Sequence, residues 1–493
     1  MIGRLKKQYR HHHLILAGIL LLTFLMRFPS LFEPFWYGDE GIFAAVARNL
    51  NFGGTLYATA WDNKPPMIYL TYALIFNVFG VSMFWLRLIT AIVVLSTAAA
   101  LYEISLKILG TKRALLATFI FGAVTSLRII EGNLALTEIF MILPIILAML
   151  IAIKRNYDYI SLFSAGFLFA IASLYKQVGA LEAAALGIYL FLACAKFTEF
   201  IKKGFILSCG FMIPYGVTIG YFAPKNLVGD YIFAAYTYYR IYFGESPQYQ
   251  VLINILKFLP IIAAISYGFY KKIKGHVDLS HLILLWTACS FLGSYFSGRT
   301  YGHYLVQATP AFALIISSIN LKPKLEKLGI FFGLVFFIPL IFLTKLLFTD
   351  FLSAGPINQI GYWKNFIEYT GNRKSASSYN SYFDNNVNRI MALDDFLRVN
   401  NAYGKSVYIW GDFPWLYAIA DLKNPSRYVT SFHVFGVPNG QNEVAENLYN
   451  SPPDYIIKPP SSIGYFAKLE KLIANRYTLL AKIEDSDIFV KSK

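Results

Sequence analysis

Long runs of apolar residues recur through the first 350 residues of this 493-residue chain. A helix needs about 20 apolar residues to cross a bilayer, or roughly 17 at the short end. Eleven runs qualify or nearly do, and they are centred on 14–31, 84–108, 114–128, 137–153, 160–175, 178–195, 204–223, 250–270, 279–296, 302–320 and 328–349. Only 15% of the residues are charged, against about 25% in an average soluble domain. The sequence therefore predicts an α-helical polytopic membrane protein with eleven transmembrane helices.

The net charge of +16 belongs to the apolar part of the chain. Residues 351–493 hold 15 Lys/Arg and 13 Asp/Glu, which leaves 29 and 15 for the first 350 residues. If the N-terminus is cytoplasmic, 17 basic residues fall in inside loops and six in outside loops before the tail. That asymmetry follows the positive-inside rule and does not form the basic stripe of a nucleic-acid binder. We expect a multi-pass protein of the cell membrane with a cytoplasmic N-terminus and no nucleic-acid partner.

The short stretch 65–80 begins with two prolines, and its assignment decides the topology. Counting it as a crossing would invert every later loop and destroy the alternation of basic residues. It is therefore predicted to be an interfacial or partly re-entrant helix in an outer first loop, 32–83. The transmembrane domain is predicted to span 1–350.

The tail, 351–493, is predicted to be a small extracytoplasmic α/β domain. Its composition changes to Asn-rich and Ser-rich stretches, followed by patterns typical of short strands and helices. Strands are expected at 406–411, 454–458, 477–482 and 488–491, with a helix at 465–475.

The first outer loop contains Gly38-Asp39-Glu40 at the start of a run with helical periodicity. Acidic residues there could simply cap a helix N-terminus. An adjacent acidic pair at the membrane surface is also a suitable place for a general base. Both readings stay open from these residues alone.

Two further charged elements follow in outer segments. Lys64-Pro65-Pro66 opens the short helix, at a level where an ammonium could pair with a lipid phosphate or merely snorkel. Glu138, in Ala-Leu-Thr-Glu, enters a membrane segment, where carboxylates are costly and usually functional. Glu131, in the preceding turn, is expected to be simply solvated.

A later signature reads Gly298-Arg299-Thr-Tyr301-Gly-His303-Tyr304. The fork of donors on Arg299 suits a phosphate, and His303 adds another donor at the outer surface. Interfacial anchoring by aromatic and basic residues is the alternative.

In this order, Gly-Asp-Glu, Lys-Pro-Pro, Ala-Leu-Thr-Glu and Arg-x-Tyr-x-His-Tyr resemble the dolichyl-phosphate-mannose protein mannosyltransferase and aminoarabinose-transferase superfamily. The nearest branch resembles the bacterial and archaeal polyprenyl-phosphate-sugar-dependent glycosyltransferases of the membrane GT-C fold. The tail is similar to the external domain that many of these enzymes carry. The resemblance covers roughly residues 10–320 in pattern.

The resemblance implies roles for individual residues. It implies that Asp39 is the catalytic base with Glu40 beside it, and that Glu138 is a second catalytic acid, where many members carry Asp. Members often have Arg near Asn133, so a phosphate role at that position does not carry over. The residues expected near the donor phosphate are Lys64, Lys176, Arg299, Tyr301 and His303.

The implied reaction is transfer of a sugar from a polyprenyl-phosphate donor to an acceptor hydroxyl on the outer face, with inversion. Phosphate is already a competent leaving group, so the missing function is a base. The acceptor could be a protein, a lipid or a polysaccharide, and membrane lipids surround the enzyme. We expect no cofactor; a divalent metal bridging the phosphate to Glu138 is compatible with the sequence but nothing demands it.

Two other functions compete with this one. A lipid-linked oligosaccharide polymerase or ligase would use a diphosphate carrier. A polyprenyl-lipid transporter or flippase would place charges near the bilayer midplane and break helices in paired halves. Here the acids cluster at one face, and Glu182 is the main ionisable residue inside a predicted span.

Overall fold

The computed structural model describes residues 2–243, 257–297, 299, 301–318, 358–460 and 464–492. Contacts between residues divide the chain into two compact units. The helix unit comprises Met1–Leu31, Arg87–Gly220 and Glu245–Trp363. The sheet unit comprises Phe32–Leu86, Tyr221–Gly244 and Lys364–Lys493. The predicted domain boundary at residue 350 stays a prediction.

The first half of the chain is a series of α-helices joined by turns and loops, among them the loop 52–66. Their bounds are Ile2–Arg27, Gly38–Asn51, Met67–Phe79, Met83–Leu109, Thr111–Thr125, Thr137–Lys154, Tyr159–Tyr175, Leu181–Ala193 and Phe197–Phe222. The described helices that follow are Val228–Ile232, Tyr239–Phe243, Leu259–Ile273, Leu279–Tyr295 and Thr309–Ser318, the last preceded by a 3₁₀ helix, Gly302–Ala308.

Among the described residues, four helical stretches are long and apolar enough to cross a membrane: His12–Phe32, Met83–Leu109, Thr137–Lys154 and Phe197–Lys225. Shorter apolar helices include Tyr159–Tyr175 and Leu279–Tyr295. The chain is thus a multi-pass membrane protein, as predicted. The helices overlap the predicted spans from 14–31 to 302–320, while the span 328–349 lies outside the described residues. The count of eleven and the sidedness stay predictions.

Local sequence signals explain where several helices begin and end. Asp158 caps the helix Tyr159–Tyr175, since its side chain accepts a hydrogen bond from the Ser161 amide at 2.7 Å. Gly110 lies between the helices Met83–Leu109 and Thr111–Thr125, and its φ of +78° ends the first of them. The stretch 65–80 forms a helix, Met67–Phe79, within the sheet unit. Its interfacial placement stays a prediction.

A buried arginine at the end of the first helix forms hydrogen bonds with the segment 125–132 of the helix unit. Arg27 is 1% exposed, and its guanidinium donates to the carbonyls of Thr125 at 3.0 Å and Gly132 at 2.6 Å. Charged groups are costly to bury unless they are hydrogen-bonded. These bonds fix the turn that precedes Glu138, one of the predicted site residues.

The tail of the sheet unit has the predicted α/β character. Its strands are β1 (Val407–Ile409), β2 (Tyr455–Lys458), β3 (Tyr477–Ile483) and β4 (Ser486–Lys491), in the order β1-β2-β4-β3. The pair β1–β2 is parallel, and β2–β4 and β3–β4 are antiparallel. The helices of this part are Gln359–Thr370, which begins in the helix unit, and Ala376–Ser381, Asn386–Val399, Pro414–Ile419, Ser431–Gly436, Gly440–Asn450 and Ala467–Arg476. The four predicted strands and the helix near 465–475 are confirmed.

One apolar core joins the segment 32–83 to this tail inside the sheet unit. Ala45, from the helix Gly38–Asn51, belongs to the same buried apolar cluster as Leu397, Ile409, Ile457 and Ile488. Burying apolar surface is the main favourable term in folding. The loop that carries the Gly-Asp-Glu motif is therefore part of the fold of the sheet unit.

Candidate active site

A buried ion pair lies at the start of the helix Thr137–Lys154. The Glu138 carboxylate is paired with the Lys176 ammonium, and its other oxygen accepts a hydrogen bond from the Thr137 hydroxyl at 2.8 Å. The side chains of Glu138 and Lys176 are 2% and 13% exposed. Lys176 reaches the pair because it ends the next helix, Tyr159–Tyr175. The structure thus brings together two residues that the sequence predicts to be functional.

Aromatic and imidazole rings surround this pair within the helix unit. The Lys176 ammonium lies 3.6 Å from the centre of the Tyr304 ring, a cation–π contact. The rings of His303 and Tyr304 meet edge to face with centroids 4.8 Å apart, and Tyr301 stacks on His303 at 5.5 Å. His303, Tyr301 and Lys176 therefore form one connected cluster with Glu138.

Glu131 corrects a sequence-based expectation. It is not simply solvated: its carboxylate lies 2.6 Å from His303 Nδ1, and its side chain is 20% exposed. Its backbone φ is +53°, an uncommon value for a residue other than glycine. The sequence offered little signal for this contact, because 172 residues separate the partners.

Gly302 allows the His303 segment to approach the Glu131 turn. A Cβ at this glycine would lie 2.1 Å from the carbonyl oxygen of Ile129. We expect Gly302→Ala to destabilise the protein by about 1–3 kcal/mol, as overpacking typically does, and to reduce activity by displacing His303. The matched control is Gly216→Ala, whose Cβ would meet nothing within 4 Å. Thermal unfolding in detergent measures the difference, and equal stability of the two variants would contradict the assignment.

Arg299 lies beside this cluster. One guanidinium nitrogen is 3.4 Å from the Tyr301 hydroxyl, and Tyr301 itself is 45% exposed. Gly298 and Thr300 of the same signature lie outside the described residues. A phosphate role for Arg299 stays a prediction.

The Asp39–Glu40 pair opens the helix Gly38–Asn51 in the sheet unit. The two side chains differ in environment: Glu40 is fully buried, whereas Asp39 is partly exposed. No hydrogen bond to the Asp39 carboxylate occurs among the described residues. A carboxylate in this setting is accessible to a reacting group, and Asp39 meets that condition while Glu40 does not.

The glycine after the pair is needed for packing. A Cβ at Gly41 would lie 2.8 Å from Cδ1 of Trp415, and Trp415 donates from its indole nitrogen to the carbonyl of Tyr37 at 3.0 Å. The Trp-Gly-Asp-Phe-Pro-Trp segment of the tail therefore supports the loop from Tyr37 to Gly41. Sequence reasoning missed this contact, because 378 residues separate Tyr37 from Trp415.

Lys64 also belongs to the sheet unit. Its ammonium donates to Asn63 Oδ1 at 2.9 Å. The tyrosines Tyr57 and Tyr69 hydrogen-bond to its peptide groups. The predicted site residues thus divide into Asp39, Glu40 and Lys64 in the sheet unit and Glu138, Lys176, Arg299, Tyr301 and His303 in the helix unit. Their catalytic and phosphate-binding roles stay predictions.

A metal site would need several acidic, histidine or cysteine side chains close together. Within the part of the chain that the structure describes, no three such side chains are placed to hold a metal ion. The expectation about cofactors stays a prediction.

Comparisons with known proteins address the fold and the family. A model of the dolichyl-phosphate-mannose-protein mannosyltransferase family matches residues 63–217. An uncharacterized protein of Aquifex aeolicus (strain VF5) is 24% identical over 256 residues, which are 50% of this chain and 45% of that protein. The chain thus matches less than half the length of this relative.

Two solved structures of ArnT from Cupriavidus metallidurans superpose on nearly the whole chain. The form bound to undecaprenyl phosphate has a TM-score of 0.57 with 14% identity and covers 97% of both chains. The apo form has a TM-score of 0.56 with 13% identity, covering 96% of this chain and 97% of ArnT. At such identity the match establishes the fold. The predicted resemblance is confirmed: this chain resembles the mannosyltransferase and aminoarabinose-transferase superfamily and has the fold of the GT-C membrane glycosyltransferases.

Proposed function

We propose that the protein is a membrane glycosyltransferase that moves a sugar from a polyprenyl-phosphate donor to an acceptor hydroxyl on the outer face. The observation that carries this proposal is the shared fold with ArnT over 97% of both chains, in a structure bound to undecaprenyl phosphate. The family model over residues 63–217, which describes an enzyme using a lipid-phosphate sugar, supports it independently.

The donor phosphate would be held by cationic side chains. Lys176 contacts Glu138 and the Tyr304 ring, and His303 packs against that ring. A lysine held in this way offers a fixed positive charge to an anion. Lys64 and Arg299 are the other cations assigned to the phosphate. Cations aimed at the leaving phosphate stabilise the charge that grows on it as the bond to the sugar breaks.

The acceptor hydroxyl would be deprotonated by Asp39. Of the two adjacent acids, Asp39 is the one with solvent access, so an acceptor can reach it. Attack of the acceptor oxygen on the anomeric carbon forms the new glycosidic bond while the bond to phosphate breaks. A single displacement of this kind inverts the anomeric configuration, and the proton ends on Asp39.

The remaining parts of the proposal concern the setting of the reaction. The acceptor is a protein, a lipid or a polysaccharide of the cell envelope, and the enzyme lies in the cell membrane with its N-terminus in the cytoplasm. The proposed reaction consumes no nucleotide and no redox cofactor.

The test uses the purified full chain in detergent with short-chain polyprenyl-phosphate sugars and a membrane extract as the source of acceptor. We expect time-dependent release of free polyprenyl phosphate from one sugar of the panel. A parallel series offers the same sugars on a polyprenyl diphosphate. Turnover of the diphosphate series alone would replace the proposal by the polymerase or ligase function. No turnover of either series, with movement of the lipid between leaflets in vesicles, would replace it by a flippase.

A further inference from the structure

Two buried tyrosine hydroxyls form hydrogen bonds with the peptide groups of Lys64. Tyr57 donates from its hydroxyl to the Lys64 carbonyl at 2.7 Å. The Lys64 amide donates to the hydroxyl oxygen of Tyr69 at 3.2 Å. Both tyrosines are fully buried. The backbone of Lys64 is therefore fixed on both sides, although its side chain is partly exposed.

The orientation of the Tyr69 hydroxyl depends on Asp62. A tyrosine hydroxyl has one proton to donate, and its oxygen can accept as well. Tyr69 donates its proton to Asp62 Oδ2 at 2.7 Å, which leaves the oxygen free to accept from the Lys64 amide. If the Asp62 carboxylate moved, the Tyr69 hydroxyl would lose the orientation in which it accepts from the Lys64 amide, while the bond from Tyr57 to the Lys64 carbonyl would remain.

Asp62 faces His433, which comes from the tail of the chain. Asp62 Oδ1 lies 3.4 Å from His433 Nε2, and both side chains are 3% exposed. A buried carboxylate is costly unless it has partners, and here it has Tyr69 on one oxygen and the imidazole on the other. The Trp61 ring meets the His433 ring edge to face at 5.1 Å, which fixes the imidazole plane.

Burial favours the neutral form of His433. It lowers the pKa of His433 below its usual value, although Asp62, Asp412 and Asp39 act to raise it and Lys64 acts to lower it. A neutral imidazole carries a single N–H, and the nitrogen that faces the Asp62 carboxylate is Nε2. His433 Nδ1 is buried with no hydrogen-bond partner in the described part of the chain.

The backbone reinforces the same connection. The Trp61 amide donates to the Arg427 carbonyl at 2.8 Å, and Trp61 forms a parallel bridge with Tyr428. The Arg427 guanidinium donates to the Tyr57 carbonyl at 3.1 Å. The segment 427–433 is thus bonded to the loop from Tyr57 to Lys64 at several points.

We propose that Asp62 and His433 are positioning residues that hold Lys64 in place for the donor phosphate through the chain His433–Asp62–Tyr69. This inference rests on the proposed function, because it takes Lys64 as a phosphate-binding residue. It assigns the tail a part in donor binding: the segment 427–433 orders the lysine loop and does more than cover the site.

A double-mutant cycle tests the inference with the full chain in detergent. The readouts are kcat and KM for the polyprenyl-phosphate sugar, and the binding of undecaprenyl phosphate alone. We expect His433→Ala and Tyr69→Phe each to lower kcat/KM for the donor roughly tenfold, since small displacements of a binding group can cost up to about a hundredfold. His433→Gln, whose amide nitrogen can take the place of Nε2, should restore most of the loss.

The same substitutions are then made in a Lys64→Ala background. If His433 and Tyr69 act through Lys64, their effects there should shrink to under about twofold, because residues that share one pathway are not additive. The matched control is Tyr477→Phe, which removes one buried tyrosine hydrogen bond, 2.8 Å to the Pro453 carbonyl, in the same unit. It should leave kcat/KM for the donor unchanged.

The outcomes separate the two proposals. If Lys64→Ala binds and turns over the donor like the wild type, the assignment of Lys64 in the proposed function is wrong, and this inference falls with it. If Lys64→Ala is impaired but His433→Ala and Tyr69→Phe are not, only the positioning inference is overturned. Full additivity in the cycle, or no rescue by His433→Gln, would likewise reduce His433 to a structural residue.

Discussion

Asp39→Asn is expected to abolish sugar transfer while leaving the protein folded in the membrane. Asparagine keeps the shape of the side chain but cannot take the proton of the acceptor hydroxyl. General bases contribute roughly 10²–10⁴-fold to rate, so kcat should fall by that order. Because Asp39 is partly exposed, the free energy of unfolding should change by less than about 0.5 kcal/mol.

The matched control for this variant is Asp421→Asn. Asp421 forms an ion pair at 2.6 Å with Arg48, which lies on the same helix as Asp39. The Asp421 side chain is 40% exposed. Breaking an exposed ion pair costs about 0–1 kcal/mol, so transfer should persist. Full activity of Asp39→Asn, measured as polyprenyl phosphate release beside this control, would remove Asp39 as the base.

Lys176→Met is expected to damage both stability and activity. It leaves the Glu138 carboxylate, which is 2% exposed, without its cation. Removing one partner of a buried ion pair typically costs about 3–5 kcal/mol. The double variant Glu138→Gln/Lys176→Met removes both charges and should regain most of the stability. It should still fail to transfer sugar, because the site has lost both a cation for the phosphate and the predicted second catalytic acid.

Thermal unfolding in detergent and donor turnover distinguish these two effects. The control pair is Glu103 and Lys154, which are 2.6 Å apart and 40% and 47% exposed; Lys154→Met should cost less than about 1 kcal/mol. Wild-type turnover in the double variant would show that Lys176 serves only to neutralise Glu138. An unchanged free energy of unfolding in Lys176→Met would show that the buried ion pair with Glu138 does not stabilise the protein as expected.

The membrane helices and the sheet strands could be predicted because each depends on a local pattern. Apolar runs and basic loops marked the helices, and alternating stretches marked strands such as Tyr455–Lys458. Glu138 and Lys176 were each predicted to be functional, but their ion pair was not predicted. The sequence could not show that they meet, because contact between two helix ends depends on how the helices pack.

The contacts of Glu131 and His433 were beyond sequence reasoning for the same reason. Glu131 meets His303 across 172 residues, and His433 meets Asp62 from the other end of the chain. No spacing rule links such partners. The role of Gly302 was hidden as well, since only the fold reveals that a Cβ would strike the Ile129 carbonyl.

Sugar transfer is best measured with a radiolabelled sugar on a short-chain polyprenyl phosphate in the presence of membrane extract. We expect the label to leave the lipid and enter an acceptor fraction, with one polyprenyl phosphate released for each sugar transferred and with inverted anomeric configuration. Label that stays on the lipid, or that moves only from a diphosphate-linked donor, would contradict the proposed function.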